Sequence, residues 1–237
     1  MNYLKMYAAA LLLCVPAAAQ SASVSVTIGK AGVMEADQAS IGATGLLTET
    51  FDSLPTGQFS NFESELGTYS SGRVKSANRY GGAHNSQYLF SLSNPGSTLS
   101  LKSSARYFGL WWSAGSVGNS VELINNGARI FVFNTDDVLD FLDANTSNTA
   151  DYYGNPNDRF ANQVRHEPFV FLNMFSDQPF DAVRLSGRNF ESDNHTVATN
   201  FARETGTSIS PVPVPATLPL LMVAFGGFAF LSRRRRP

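Results

Sequence analysis

Oxygen-bearing side chains are concentrated in residues 191–195, which read Glu-Ser-Asp-Asn-His. Calcium is bound by about six to eight oxygens, usually carboxylates supplemented by amides, carbonyls and water. Pairing between the first and last strands of the domain would bring Glu49 and Asp52 close to this segment. The sequence therefore predicts one structural Ca²⁺ with ligands from this set: Asp52, Glu191, Asp193 and Asn194. The alternative is a polar loop at a strand edge that binds no metal.

Aromatic residues in polar surroundings suggest a second kind of site, one for glycans. Sugars pack their C–H faces on aromatic rings while amides and carboxylates bind their hydroxyls. The aromatic candidates are Tyr80, Tyr107, Trp111, Trp112, Tyr152 and Tyr153. Neighbouring residues of a strand point to opposite faces, so one of the two tryptophans is expected in the core. The predicted glycan contacts are Tyr152, Tyr153 and Asn155, in a long polar loop over residues 145–165.

Catalytic motifs are absent from the sequence. His84, His166 and His195 are far apart, and neither G-x-S-x-G nor H-E-x-x-H occurs. The acidic residues of 136–143 have helical spacing, which is typical of a solvated helix face. A glycosidase would need two carboxyl groups flanking a cleft, with the pKa of one raised by burial. We therefore expect a protein that is not an enzyme, with a glycan-active enzyme as the alternative.

These residues need a scaffold, and the body of the chain predicts one that is mainly β. Short turn-bounded strands are expected at residues 23–28, 87–92, 97–102, 107–112, 119–125, 129–133, 168–175, 182–186 and 190–199. Asn126 and Gly127 predict a tight hairpin turn. One helix is expected after Asn134 or Thr135, with Asp136 in its first turn. Strands at this spacing favour an antiparallel β-sandwich or jelly roll with one short helix.

The first 19 residues have the composition of a secretory signal peptide. Lys5 precedes an apolar stretch, and small residues occupy positions 17–19. Cys14, the sole cysteine, lies inside this segment, so a mature chain would contain no disulfide or cysteine metal site. Loss of Lys5 and four C-terminal arginines would lower the basic count by five from 17, against 19 acidic residues. Such an acidic domain is a poor candidate for binding nucleic acid.

Residues 212–237 have the organisation of a sorting and anchoring tail. An extended proline-spaced segment comes first: Val212, Pro213, Val214, Pro215 and Ala216. The uncharged residues 217–232 follow, which as a helix would be about 24 Å long, close to the ~30 Å hydrocarbon core of a bilayer. A basic membrane stop ends the tail: Arg233, Arg234, Arg235 and Arg236. The tail predicts a transmembrane helix at the inner membrane, with the rest of the chain outside the cytoplasm.

This tail resembles the PEP-CTERM sorting tails that exosortases process, in the variant whose signature reads Val-Pro-Leu-Pro-Ala. Val214 stands where that variant has Leu. The resemblance implies transit through the inner membrane and cleavage near the prolines. It also implies delivery to a cell surface or extracellular matrix rich in exopolysaccharide.

The body is similar to a family of exosortase-dependent surface proteins. The similarity rests on RYGGA at residues 79–83, on residues 167–187 and on NFESDNHTVA at residues 189–198. It implies one jelly-roll-like domain over most of residues 45–200, and it implies no particular activity. The expected organisation is a signal peptide (1–19), a β-sandwich domain (20–202), a linker (203–211) and the sorting tail (212–237).

The expected function is that of an exported, exosortase-processed surface or matrix protein, with exopolysaccharide as its candidate partner. Two alternatives remain open at this point. One is an extracellular glycan-active enzyme, and the other is a binding module that stays anchored in the membrane by its uncut tail. No cofactor is expected apart from the structural calcium.

Overall fold

The chain is mainly antiparallel β. A computed structural model describes residues 22–91, 96–144 and 150–209, all of which belong to one compact unit. Its strands are β1 Val24–Ile28, β2 Leu47–Glu49, β3 Gly57–Glu63, β4 Gly67–Lys75, β5 Tyr88–Ser91, β6 Ser97–Ser113, β7 Ser120–Asn125, β8 Ala128–Asn134, β9 Val170–Ser186, β10 Phe190–Ala198 and β11 Thr207–Ile209. Its helices are α1 Gln38–Ile41 and α2 Asp136–Ala144, with 3-10 turns at Ala83–Asn85, Ala150–Tyr152 and Asp158–Phe160.

Two long strands, β6 and β9, form the centre of the sheet. The strand order is β11-β1-β9-β6-β10-β5-β4-β3, with β2 beside β10 and the β7–β8 pair beside β9. The sequence predicted four separate strands at residues 97–102, 107–112, 168–175 and 182–186, which is wrong. The β6–β9 pairing continues across register shifts between Ser100 and Tyr107, so the polar residues there form irregularities within one strand instead of a loop.

The predicted hairpin is confirmed. Strands β7 and β8 pair from Ser120↔Asn134 to Asn125↔Ala128. Asn126 and Gly127 form the turn with φ values of 50° and 76°. Both residue types tolerate positive φ, which the primed turns of two-residue hairpins require.

The helix predicted after the hairpin is confirmed as α2, but Thr135 does not cap it through its side chain. The Thr135 hydroxyl donates to the carbonyl oxygens of Ser116 and Asn119, at 3.3 and 3.1 Å. Asp136 accepts a hydrogen bond from the Gly118 amide at 2.9 Å. These bonds fix the start of α2 against the segment between β6 and β7.

Sequence reasoning missed α1 and the β3–β4 hairpin. Helix α1 is a single turn that begins after Asp37, whose carboxylate accepts a hydrogen bond from the Ser40 amide at 3.0 Å. Strand β3 exposes most of its side chains on both faces, so it lacks the apolar alternation that marks a half-buried strand. The chain therefore has a second short helix, and residues 67–75, where no strand was predicted, form β4.

The two adjacent tryptophans bury opposite faces of β6. Trp112 belongs to the larger hydrophobic cluster, and its indole Nε1 donates to Asn119 at 3.3 Å. Trp111 belongs to a second cluster, where its ring centroid lies 5.8 Å from that of Phe169. Both faces of β6 are thus covered, and both tryptophans are core residues instead of one.

The predicted signal peptide and sorting tail lie outside the described residues. Within the described part of the chain, no helix has the length and apolar character needed to cross a membrane. The predicted linker at residues 203–211 contains β11, which pairs with β1 through Val26↔Ile209. Ordered structure therefore continues beyond residue 202.

Candidate functional site

The oxygen-rich segment singled out in the sequence is the middle of β10, and it is buried. Every residue of Phe190–Ala198 is buried, including the polar stretch from Glu191 to Thr196. Strand β10 lies between β6 and β5, and the β6–β10 register shifts between Asp193 and Thr196. Asn194 has a φ of 50° at this bulge. The bulge lets Ser192 and His195 lie on the same side of the strand.

One group of these polar side chains forms a closed network in the core. His195 Nε2 and Ser192 Oγ share a hydrogen bond of 2.9 Å, and His195 Nδ1 shares one of 3.0 Å with the Tyr69 hydroxyl. The imidazole meets the rings of Phe51 and Phe108 edge-on. Burial lowers the pKa of His195 to about 3. A serine beside a histidine has the geometry of an activated nucleophile, but all members of this network are buried from solvent, so the network is structural.

Asp193 connects β10 to the loop that contains RYGGA. One carboxyl oxygen accepts hydrogen bonds from the Ala83 amide at 2.8 Å and the Ser86 hydroxyl at 2.9 Å. The other accepts from the Asn194 amide at 2.8 Å. Burial raises the pKa of Asp193 to about 8. The RYGGA segment and β10 therefore meet at this carboxyl group.

The glycines of RYGGA are required by close packing. A Cβ on Gly81 would lie 2.8 Å from the ring of Tyr88. Gly82 has a φ of 99°, and a Cβ there would overlap the Ser86 carbonyl oxygen. The absence of side chains at both positions allows the close packing in which the Ala83 amide donates to Asp193.

Asn155 has a structural role instead of the predicted glycan contact. It is 1% exposed, and its amide nitrogen donates to the carbonyl oxygens of Asn78 and Arg79 at 3.3 and 3.2 Å. Its side-chain oxygen accepts from the Asn157 amide at 2.9 Å, and Asn157 in turn accepts from the Asn85 amide at 3.1 Å. We therefore remove Asn155 from the candidate glycan contacts.

Tyr152 and Tyr153 also direct their hydroxyls at the protein. Tyr152 donates to the Gly29 carbonyl oxygen at 2.9 Å, and Tyr153 donates to the Asp143 carboxylate at 3.4 Å. Both rings are half-buried against the larger hydrophobic cluster. Contact between these tyrosines and a glycan stays a prediction.

Three of the four predicted calcium ligands, Asp52, Asp193 and Asn194, form hydrogen bonds with other residues of the protein. Asp52 accepts from the Gln87 amide at 2.8 Å, and the Asn194 amide nitrogen donates to the Met34 carbonyl oxygen at 2.7 Å. Strand β2 does pair with β10, opposite His195 at Glu49. Within residues 22–91, 96–144 and 150–209, no group of three or more His, Cys, Asp or Glu side chains is arranged to hold a metal ion. The calcium site stays a prediction.

The fourth member of that set, Glu191, opens instead on a pocket that we call the Lys75 pocket. Its volume is about 360 Å³. The lining residues are Lys75, Tyr80, Phe90, Ala114, Ser116, Glu167, Asn189 and Glu191. A wider depression of about 720 Å³ adjoins it, shares Lys75 and Tyr80, and adds Arg79 and Phe160. Sequence reasoning identified Glu191 and the aromatic Tyr80 but missed Lys75 and Glu167, because the fold brings them from distant strands and loops.

Glu191 is the most unusual group in the Lys75 pocket. It is 6% exposed, yet in the described part of the chain no other residue donates a hydrogen bond to its carboxyl group. Burial raises its pKa to about 8, with a further upward contribution from Glu167 and an opposing one from Lys75. The Lys75 ammonium lies 3.2 Å from the centroid of the Phe90 ring. Burial also raises the pKa of Glu167 and lowers that of Lys75.

Comparison with models of known protein families, with curated proteins and with solved structures finds no match to this chain.

We expect the free energy of unfolding to fall as pH rises from about 6.5 to about 8. Glu191 and Asp193 keep their protons in the folded chain up to about pH 8, whereas the unfolded chain releases them near 4.5 and 3.8. In this pH range His195 is neutral in the folded chain, and it loses its proton near pH 6.5 in the unfolded chain. The folded chain therefore binds more protons, which lowers stability with rising pH by up to about 1.4 kcal/mol per pH unit for each carboxyl group.

Urea titrations at the two ends of this pH range measure the effect. Glu191→Gln should make the fall smaller, because the variant has one buried carboxyl group fewer. A free energy of unfolding that rises across the range would contradict the assigned protonation of Glu191 and Asp193.

Proposed function

We propose that this chain is an exported, exosortase-processed, non-catalytic protein of the cell surface or extracellular matrix. In this proposal its β domain is a jelly-roll-like sandwich that associates with exopolysaccharide. The observation that carries the proposal is the order of segments in the sequence. A secretory leader precedes the domain, and the domain precedes Val-Pro-Val-Pro-Ala, an apolar run and four arginines. The leader is typical of export, and the resemblance of the tail to PEP-CTERM sorting tails implies that the tail is then processed.

The geometry of the domain is compatible with attachment through the tail. Strand β11 ends at Ile209, which pairs with Val26, and Val26 pairs in turn with Met174. Strand β9 begins at Val170, and Glu167, which lines the Lys75 pocket, lies just before that residue. Four residues of strand separate the two positions, roughly 14 Å. An attachment that follows Ile209 therefore leaves the Lys75 pocket away from the point of attachment.

We expect substitution of both prolines in the tail to stop processing. Pro213→Ala combined with Pro215→Ala allows the segment to leave the extended conformation that a processing enzyme can grip. Fractionation of host cells should then find this variant in the inner membrane, with little at the surface or in the medium. The matched control is Val214→Leu, which gives the Val-Pro-Leu-Pro-Ala signature of the variant and should be processed like the natural chain. Normal delivery of the double variant would contradict the proposal.

A glycan-active enzyme is the second candidate, and the Lys75 pocket is the observation that favours it. Glu167 and Glu191 line one pocket, and both have raised pKa values. A carboxylic acid that keeps its proton near neutral pH can serve as a general acid beside a second carboxylate. Incubation of the purified chain with the polysaccharide of its host separates the candidates. Binding without shortening of the polymer supports a binding module, and shortening that Glu191→Gln abolishes supports an enzyme.

A permanently anchored binding module is the remaining alternative. It would share the domain and the Lys75 pocket but retain residues 217–236 at its C-terminus. The mass of the mature chain distinguishes it from the processed protein.

A further inference from the structure

The carboxyl group of Glu191 is nearly buried, yet within the described part of the chain its own main-chain amide is the hydrogen-bond donor it has, and no other residue donates to it. Buried side-chain oxygens and nitrogens are hydrogen-bonded in the large majority of cases, because leaving them unpaired costs about 1–3 kcal/mol. Asp193, two residues away on the same strand, follows this rule with three hydrogen bonds. Glu191 faces the Lys75 pocket with none from another residue of the described chain. A ligand with hydroxyl groups would satisfy this carboxyl group.

Charge around the pocket favours an anionic ligand. Lys75 lines both the pocket and the adjoining depression, and Arg79 lines the depression. Glu167 and Glu191 are the acidic residues of the pocket lining. Glu191 holds a proton near neutral pH because its pKa is about 8, which leaves two cations facing one carboxylate. A divalent metal ion would have to sit beside the Lys75 ammonium, so this lining suits an organic acid better than a cation.

An aromatic surface completes the pocket. Tyr80 is 36% exposed and lies where the pocket and the depression meet. The Arg79 guanidinium stacks 4.6 Å from the centre of the Tyr80 ring, and it also donates to the Tyr80 hydroxyl. This stacking orients the ring, and the Asn78 side chain holds the main chain of the same residue by accepting from the Tyr80 amide at 2.8 Å. A rigid tyrosine ring next to hydrogen-bonding groups is suited to the apolar face of a sugar ring.

We propose that the Lys75 pocket binds a carboxylated sugar, a uronic acid residue of an acidic saccharide. Its carboxylate pairs with the Lys75 ammonium, its ring packs on Tyr80, and its hydroxyls bond with Glu191, Asn189 and Ser116. The proposal rests on the proposed function only for the source of the sugar, since the chemistry of the pocket is independent of how the tail is processed. It deepens that function by naming the kind of polysaccharide that the domain recognises.

Calorimetry on the full chain, held in a polyoxyethylene-ether detergent that contains no sugar, tests this assignment. The acidic probes are tetragalacturonate and tetramannuronate, and the neutral probe is fully methyl-esterified tetragalacturonate. At least one acidic probe should bind with a dissociation constant below about 1 mM. The methyl ester has the same rings as tetragalacturonate without the charge. If tetragalacturonate binds, its methyl ester should bind at least about tenfold more weakly.

Variants at the pocket should separate charge from packing. Lys75→Met keeps the apolar stem and removes the ammonium, so it should weaken acidic binding about tenfold or more. Tyr80→Ala should weaken it by a similar factor through lost ring packing. Glu191→Gln should stay within about threefold of the natural chain, since an amide still donates and accepts, whereas Glu191→Leu should abolish binding. The matched control is Lys30→Met, an exposed lysine outside the pocket, with unchanged affinity.

Thermal melting of each variant shows whether it is folded, and only folded variants are compared. Absence of binding by both acidic probes would overturn the assignment, as would equal binding of the acid and its methyl ester, or unchanged affinity in folded Lys75→Met. None of these results would affect the proposed export and processing, which are tested by the C-terminus of the mature chain.

Discussion

Replacing Asp193 with alanine is expected to lower the free energy of unfolding by about 3 kcal/mol or more. The substitution leaves the buried amides of Ala83 and Asn194 without acceptors, since both donate to the Asp193 carboxyl group. The Ser86 hydroxyl loses the same partner, but its single proton can be directed to the Ala83 carbonyl oxygen, which also lies within hydrogen-bond distance. Urea unfolding followed by tryptophan fluorescence measures the change, because Trp111 and Trp112 are both buried.

Asp136→Ala is the control for this prediction. Asp136 also accepts a main-chain hydrogen bond, from Gly118 at 2.9 Å, but it is exposed. Water can replace the lost acceptor there, so the expected loss is below about 1 kcal/mol. Equal losses in the two variants would contradict the role assigned to Asp193 as the buried acceptor that holds the RYGGA loop.

Gly82→Ala is expected to destabilise the chain by about 3 kcal/mol through two separate effects. The φ of 99° is unfavourable for any residue with a side chain. The new Cβ would also overlap the Ser86 carbonyl oxygen and lie 2.9 Å from the Cα of Ala77, and both of these are backbone atoms. Relief of the overlap would move the loop and pull the Ala83 amide away from Asp193.

Gly118→Ala separates the two effects. Gly118 has a similar positive φ of 80°, but a Cβ there has no neighbour within 4 Å. Only the conformational cost remains, so the expected loss is about 1 kcal/mol. If Gly82→Ala cost no more than Gly118→Ala under the same urea titration, close packing would not be the reason for glycine at position 82.

Local signals in the sequence were sufficient for several elements of the fold. The Asn126–Gly127 turn depends on the backbone preferences of two neighbouring residues, and the structure has the hairpin there. Helix α2 follows from an apolar stripe and acidic residues in its first turn, which are also local. Strand β1 follows from strict alternation of branched and small polar residues.

Elements that depend on distant pairing could not be predicted in the same way. Strands β6 and β9 remain continuous across polar residues because each stabilises the other's main chain through the irregular part of the ladder. Strand β3 has a mostly exposed pattern, so only its pairing with β4 identifies it as a strand. Strand β11 has three residues and depends entirely on its partner β1.

The candidate site shows the same division. The acidic composition of the β10 segment was evident from the sequence, and so was the possibility that Glu49 would lie close to it. The burial of that segment could not be predicted from the sequence, because a run of polar residues favours a solvated loop. Only the surrounding sheet overrides that preference. The fold also determines that Glu191 and Asp193 have different surroundings, one open to a pocket and the other fully hydrogen-bonded.

Export of the chain and removal of its tail are the main steps of the proposed function. Intact-mass spectrometry of the protein purified from its host measures this directly, because the mass reports both chain ends. We expect a mature chain that begins near residue 20 and ends near Pro213, without the apolar run and the four arginines. A mass that includes residues 217–236 would contradict processing, and one that also includes residues 1–19 would contradict export.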